Sequence, residues 1–219
     1  MSAIPEEVAA GQVIYTRRVL AVYDLLVLGL SSRLIWRCPS SRLEGHYNKH
    51  ITANHLDVGV GTGYFLDRSR FSTSSPRIAL MDLNQSTLDF ASRRLARYHP
   101  ETYRRNVLQA ISIESGKFDS VGMSLILHCL PGSIASKAVV FDHVRDLMNP
   151  NAVLFGATLL HGGVSRSWFA RLMMDVYNKK GIFSNQQDDL EGLRHELGKR
   201  FRDVAVEVVG CAVLFSARI

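Results

Sequence analysis

The stretch HLDVGVGTGYFL, His55 to Leu66, constrains this chain more than any other. A short apolar run ends in an acid, and three glycines follow at alternate positions: Gly59, Gly61 and Gly63. A backbone leaving a strand through such a loop turns sharply and lets a ligand come close to its amides. Glycine permits both, because it tolerates positive φ and carries no Cβ. The spacing sorts the ligands. A dinucleotide loop, G-x-G-x-x-G, would need glycine where Tyr64 stands, and a phosphate-binding P-loop would end in Gly-Lys-Ser/Thr, which is missing here.

The residues beyond the loop fix the fold class. HLDVGV reads as a strand and YFLDRSRF as the start of a helix; RIALMDL is the next strand. QSTLDFASRRLARY is a helix with Leu88, Ala91, Leu95 and Tyr98 on one face. RRNVLQA is predicted as a third strand and FDSVGMSLILHCL as a fourth. IASKAVVFDHVRDLMN is a helix ended by Pro150, and AVLFGATLLHG a fifth strand. Helices over SWFARLMMDVYNKKG and LEGLRHELGKRF lead to DVAVEVVGCAVLFSAR, two strands turning near Gly210 in an antiparallel finish. Strand and helix in alternation predict an α/β fold with a mostly parallel sheet covered on both faces, and a ligand beyond the carboxyl ends of the strands. The first fifty residues are different. QVIYTRRVLAVYDLLVLGLSSRLIW has helical spacing and is broken by CPSS, Cys38 to Ser41.

Composition narrows the rest. At 219 residues and 47% apolar, the chain suits one compact domain with an appendage. Cys38, Cys129 and Cys211 are far apart, so neither a disulfide framework nor a zinc site is suggested, and no metal is expected. The start, MSAIPEEVAAGQVIY, lacks the pattern of a secretory leader, so a cytoplasmic location is the expectation. The apolar run Val19 to Leu30 is interrupted by Asp24 and too short for a membrane span; it reads as a buried or cofactor-covering helix. The net charge of +6 is densest over Ser92 to Arg105. With no interleaved aromatics and no recognition helix, that stretch reads as a solvated helix face rather than a nucleic-acid footprint. The same balance suits an acidic small substrate.

The loop with Asp57 two residues ahead of it resembles motif I of the class I S-adenosylmethionine-dependent methyltransferases. The likeness extends downstream. Asp82 closes ALMD, 25 residues beyond Asp57, where a carboxylate can accept hydrogen bonds from both vicinal ribose hydroxyls. Asn84 is the better helix cap in DLNQS. NVLQA falls where the family supplies a polar side chain for the adenine amino group. Asn106 keeps the acceptor oxygen of the more usual aspartate without its charge, and Leu83 and Val107 would be the apolar sides of the adenine slot. FDSVGMSLILHCLPG resembles motif IV, whose strand end lies beside the sulfonium, and adds Ser124 to the cofactor residues.

The resemblance covers roughly His55 to Gly163, and more loosely the last two strands. It is closest to small bacterial and fungal methyltransferases of natural-product and quinone-like pathways. It implies a doubly wound, mostly parallel seven-stranded Rossmann-like sheet with an antiparallel last strand and an N-terminal helical lid. Residues 1–219 then form one domain: a lid over 1–50, and a core over 51–219 with a substrate-pocket insertion at about 164–187. The implied activity is methyl transfer from S-adenosylmethionine to an O, N or C atom of a small, hydrophobic metabolite. The alternative is a fold relative that binds the cofactor but catalyses another step or serves as a partner subunit. HCLPG in place of an Asn/Asp-Pro-Pro-aromatic motif argues against a nucleic-acid acceptor. A homodimer is allowed for.

Methyl transfer from a sulfonium is an in-line displacement that needs alignment, exclusion of water and, for some acceptors, removal of a proton. His128 and His161, at the expected ends of the fourth and fifth strands, are the candidate bases. Tyr15, Tyr23, Trp36 and Tyr47 offer aromatic faces to a cation, with Tyr23 and Trp36 the ones expected at the methionine end. Trp168, Met173, Tyr177 and Phe183 would line an apolar acceptor pocket.

Overall fold

The computed structural model describes residues 31–219. Tyr15, Tyr23 and the run from Val19 to Leu30 lie outside them. The strands are β1 (Asn54–Val58), β2 (Arg77–Asp82), β3 (Glu101–Arg104), β4 (Phe118–Ser124), β5 (Met148–Leu159), β6 (Arg202–Val209) and β7 (Ala212–Arg218). They form one sheet in the order β3-β2-β1-β4-β5-β7-β6. The first five run parallel; β7 is antiparallel to both neighbours. Strand order reverses between β1 and β4, which opens a crevice above their carboxyl ends.

Burial explains this arrangement. In β1, β2 and β4 nearly every side chain is buried, as strands covered on both faces require. The polar alternation of Glu101–Arg104 and of Arg202–Val209 belongs to the two edges, where one face meets water. Among the described residues the longer helices covering the sheet are α1 (Ser40–His50), α2 (Tyr64–Arg68), α3 (Gln85–Arg94), α4 (Val139–Arg145), α5 (Trp168–Lys179) and α6 (Leu190–Gly198). Leu88, Ala91 and Leu95 form the buried stripe of α3, against Ile78 and Leu80 of β2. Burying a leucine there contributes about 1.5–3 kcal/mol. On the opposite face Leu56, Val58, Val121 and Met123 pack with Phe141 and Val144 of α4 and with Leu193 and Leu197 of α6. No helix among the described residues is long and apolar enough to cross a membrane.

Several boundaries differ from the sequence reading. The third strand is ETYR, and RRNVLQA beyond Arg104 is loop. This edge strand is half exposed, so its sequence lacks the apolar run that marks its neighbours. The fourth strand stops at Ser124, because Leu125 takes a left-handed φ of 62° and the chain turns into a 3-10 segment, Leu127–Cys129. Pro150 does not end a helix; it lies within β5, near a register irregularity against β4. Such a place tolerates the missing amide. Within the expected lid segment, α1 packs flat on the sheet, with Leu43 and Tyr47 buried.

Candidate functional site

The turn after β1 builds the site. Gly59, Gly61 and Gly63 all have φ between 56° and 72°. A Cβ on Gly59 would sit 2.7 Å from the Ile126 Cδ1 atom, whereas a Cβ on Gly61 would meet nothing within 4 Å. Gly59 is therefore glycine for packing, and Gly61 because its backbone stands open to the crevice. The Gly59 amide donates to the Met81 carbonyl at 2.8 Å, which ties the loop to β2.

The crevice holds about 1120 Å³ of empty space including its mouth. On one side Asp82, Leu83 and Asn84 follow β2, and Arg105, Asn106 and Val107 follow β3. On the other lie Tyr47, Ser124, Ile126 and Leu130, with Tyr64 and Phe65 beside the glycine loop. Oδ1 of Asp82 accepts the Asn84 amide at 2.9 Å. Burial pushes its carboxyl up to about 6, and the amides of Asn84, Leu83 and Gly61 oppose that shift. The Asn84 side chain caps α3 by accepting from the Ser86 amide, so the Asp82 carboxylate is not consumed as the cap. Asn106 Oδ1 accepts the Leu108 amide at 3.0 Å. Asp57 lies under the wall, 3% exposed, and accepts from the Tyr47 hydroxyl at 3.2 Å. Burial, reinforced by the charge of Asp82, raises it to about 8.

The crevice thus gathers Gly59, Gly61, Asp82, Leu83, Asn106, Val107 and Ser124, with Gly63 capping α2 and Asp57 directly beneath. Other expected residues lie elsewhere. Trp36 does not line this cavity; it packs in a second apolar cluster, 5.8 Å from Phe183 and 6.3 Å from Tyr177, centroid to centroid. Met173 borders the same cluster, and Trp168 is 75% exposed. His128 is not on the crevice wall. Its ring meets Phe183 edge-on at 4.6 Å, and Nδ1 accepts the Leu159 amide at 3.3 Å. Burial drives its pKa down to about 3, with the Lys137 charge adding to the effect. A buried imidazole with one nitrogen already spent on a backbone amide is poorly placed to take a substrate proton. His161 lies two residues past β5, its amide donating to the Asp188 carbonyl. Its Nε2 is 4.0 Å from Asp175, and burial lowers its pKa.

Sequence reading missed Phe65, Ile126, Leu130 and Arg105, and placed Tyr47 only among the lid aromatics. Phe65 carried a usable signal, two residues after the last glycine. Tyr47 carried none, since its position follows from how α1 packs on β5 and α2, with its ring against Phe155 and Phe65.

The site's materials suit an adenosyl sulfonium: a glycine turn whose backbone stands open to the crevice, a partly exposed carboxylate one strand away, and apolar walls between them. Comparison with known proteins agrees. A methyltransferase-domain family model matches residues 56–154. The chain is 40% identical over 214 residues to demethylluteothin O-methyltransferase of Streptomyces thioluteus, covering 98% of this chain and 93% of that protein. It is 37% identical over 209 residues to the physcion biosynthesis cluster O-methyltransferase of Aspergillus chevalieri, covering 94% of each. Among solved structures, a DhpI–SAH complex superposes with a TM-score of 0.67 at 14% identity, covering 99% of this chain and 98% of that one.

Proposed function

This chain belongs to the S-adenosylmethionine-dependent methyltransferases, and from that premise we propose that it methylates a hydroxyl oxygen of a small, hydrophobic acceptor. The observation that carries the choice of oxygen is the whole-length likeness to two proteins named as O-methyltransferases. The acceptor is a metabolite rather than a nucleic acid, and the enzyme works in the cytoplasm, with a homodimer allowed for.

In this reading Asp82 accepts the two ribose hydroxyls, and the Gly59–Gly63 turn lies against the methionine part. Leu83, Asn106 and Val107 form the adenine slot. Asp57 and Ser124 support the methionine end from below. The cofactor supplies a methyl group already activated on a cationic sulfur. The chain's own contribution is alignment and exclusion of water. Tyr177 and Phe183, joined by Trp36, form the rigid part of the acceptor wall, and residues 164–187 carry Met173 and the exposed Trp168 toward the incoming molecule. Neither histidine faces the crevice, so the acceptor is one that ionises readily by itself, a phenol or an enol. The net charge of +6 favours its anion.

The test is incubation with methyl-labelled S-adenosylmethionine and matched phenol, enol and aromatic amine acceptors. Label is expected in the methyl ethers of the first two. Label in the amine with none in the ethers contradicts the proposal.

A further inference from the structure

Beneath the crevice lies a buried acid with no cation to balance it among the described residues. Asp57 does not reach the cavity; Tyr47 does, and the Tyr47 hydroxyl contacts both carboxyl oxygens, at 3.2 and 3.4 Å. Among the described residues, the groups facing Asp57 are few. From α1 comes Tyr47, from β2 the Asp82 carboxyl, and from β4 Ser124 beside the Tyr47 hydroxyl. Within β1, His55 flanks the same spot: a Cβ on Gly122 would lie 3.3 Å from its Nε2 and 3.5 Å from Asp57 Oδ1. His55 is no counter-ion, because full burial keeps it neutral, at about 3, with Nδ1 against the Ser120 hydroxyl at 2.8 Å. Among the described residues, neither Asp57 nor Asp82 has an ion-pair partner, and only hydroxyl and amide groups stabilise their charges. A buried carboxyl that faces another carboxyl and receives one hydroxyl donor keeps its proton until a cation arrives.

If Asp82 takes the ribose and Asn106 the adenine side, Tyr47 is left at the methionine end, where the donor carries a sulfonium and an α-ammonium. We propose that the Tyr47–Asp57 pair couples cofactor binding to proton release, with Tyr47 touching the methionine end and Asp57, acting through Tyr47, as a positioning residue. The Asp57 O–H bond breaks as the donor settles, its electron pair stays on the carboxylate, and the proton passes to solvent. One negative charge appears under a ligand that brings positive charge, and no redox partner is involved. The inference rests on the cofactor reading of the crevice.

The experiment is calorimetric titration of S-adenosylmethionine at pH 6.5, in two buffers of different ionisation enthalpy, with affinity then followed to pH 9. At pH 6.5 the cofactor's own amine, which titrates at about 7.7–8.0, is already protonated and adds little. The wild type is expected to release close to one proton per cofactor bound, and its affinity to rise about tenfold per pH unit up to about pH 7.5, levelling where Asp57 ionises unaided and the cofactor's amine begins to lose its proton. Asp57→Asn removes most of the proton release, leaving only the small fraction of Asp82, at about 6, that is still protonated at pH 6.5, and flattens the profile above pH 7. Tyr47→Phe removes a donor to the carboxylate, so its profile moves to higher pH while release persists. Far-ultraviolet circular dichroism checks that both variants fold. Equal binding enthalpies in both buffers, or an Asp57→Asn profile that matches the wild type, overturns the coupling. Failure of the wild type to bind at all overturns the cofactor reading beneath it.

Discussion

Gly59 and Ile126 are so close that a Cβ on Gly59 would sit 2.7 Å from the isoleucine Cδ1 atom. The contact joins the glycine turn to the loop after β4, the two sides of the crevice. Gly59→Ala therefore meets both a steric conflict and a φ of 71°, whereas Gly61→Ala meets only its φ of 56°. Left-handed backbone costs an alanine about 1–2 kcal/mol, and overpacking about 1–3 more. Thermal unfolding should show the larger loss for Gly59→Ala. Cofactor titration should show Gly61→Ala losing affinity beyond what its modest destabilisation explains, because its methyl group would project into open space at the ligand.

Lys137 and Asp188 form an ion pair at 2.5 Å with both side chains fully buried, and Lys137 also donates to the Ser184 carbonyl. The pair fastens the helical turn after β4 to the loop after α5. Lys137→Met strands the Asp188 carboxyl and should cost about 3–5 kcal/mol in urea unfolding. Adding Asp188→Leu should restore most of that loss. A double variant as unstable as the single one would mean the pair itself, and not the orphaned charge, sets the stability.

His128 offers a test of role by pH. Its pKa in the fold is depressed to about 3, so its stabilising contribution is complete above the unfolded value of about 6.5 and fades as pH falls below it. Asparagine can still accept the Leu159 amide. His128→Asn should be less stable than the wild type at pH 7.5, and the gap should narrow by roughly 2 kcal/mol by pH 5. Turnover should fall only a few-fold. A loss of 10²–10⁴-fold, the order expected for removing a general base, would reinstate the imidazole as one.

Asn84 caps α3 through the Ser86 amide at 2.9 Å. Asn84→Ala should lower stability by about 1 kcal/mol, measured by urea unfolding. An unchanged midpoint would mean the helix start is held by other contacts.

The sheet and the cofactor turn were legible because local chemistry dictates them. Gly59 to Gly63 tolerate what other residues resist, and the stripe of Leu88, Ala91 and Leu95 fits only a helix. The mostly parallel sheet follows from the alternation of strand and helix and the antiparallel finish from the turn near Gly210, while the full doubly wound seven-stranded order was implied by the family resemblance. The edge strand Glu101–Arg104 was not legible, since half its side chains face water and it falls in the basic stretch Ser92 to Arg105 that reads as a solvated helix face. The end of β4 turns on the left-handed φ of Leu125, which nothing in LILHCL announces. Tyr47 and Ile126 reach the crevice only through packing between elements distant in sequence. Trp36 looked like a cofactor aromatic in isolation, but its neighbours Phe183 and Tyr177 draw it into the apolar cluster beyond.

The most direct measurement is the affinity of S-adenosylmethionine for the wild type and for Asp82→Ala, side by side at pH 7.5. Two charged hydrogen bonds to the ribose should make the variant weaker by about 1.5–3 kcal/mol, roughly 10- to 150-fold, with its unfolding midpoint little changed. Equal affinities would show that the carboxylate after β2 does not grip the nucleoside, and would contradict the account at its centre.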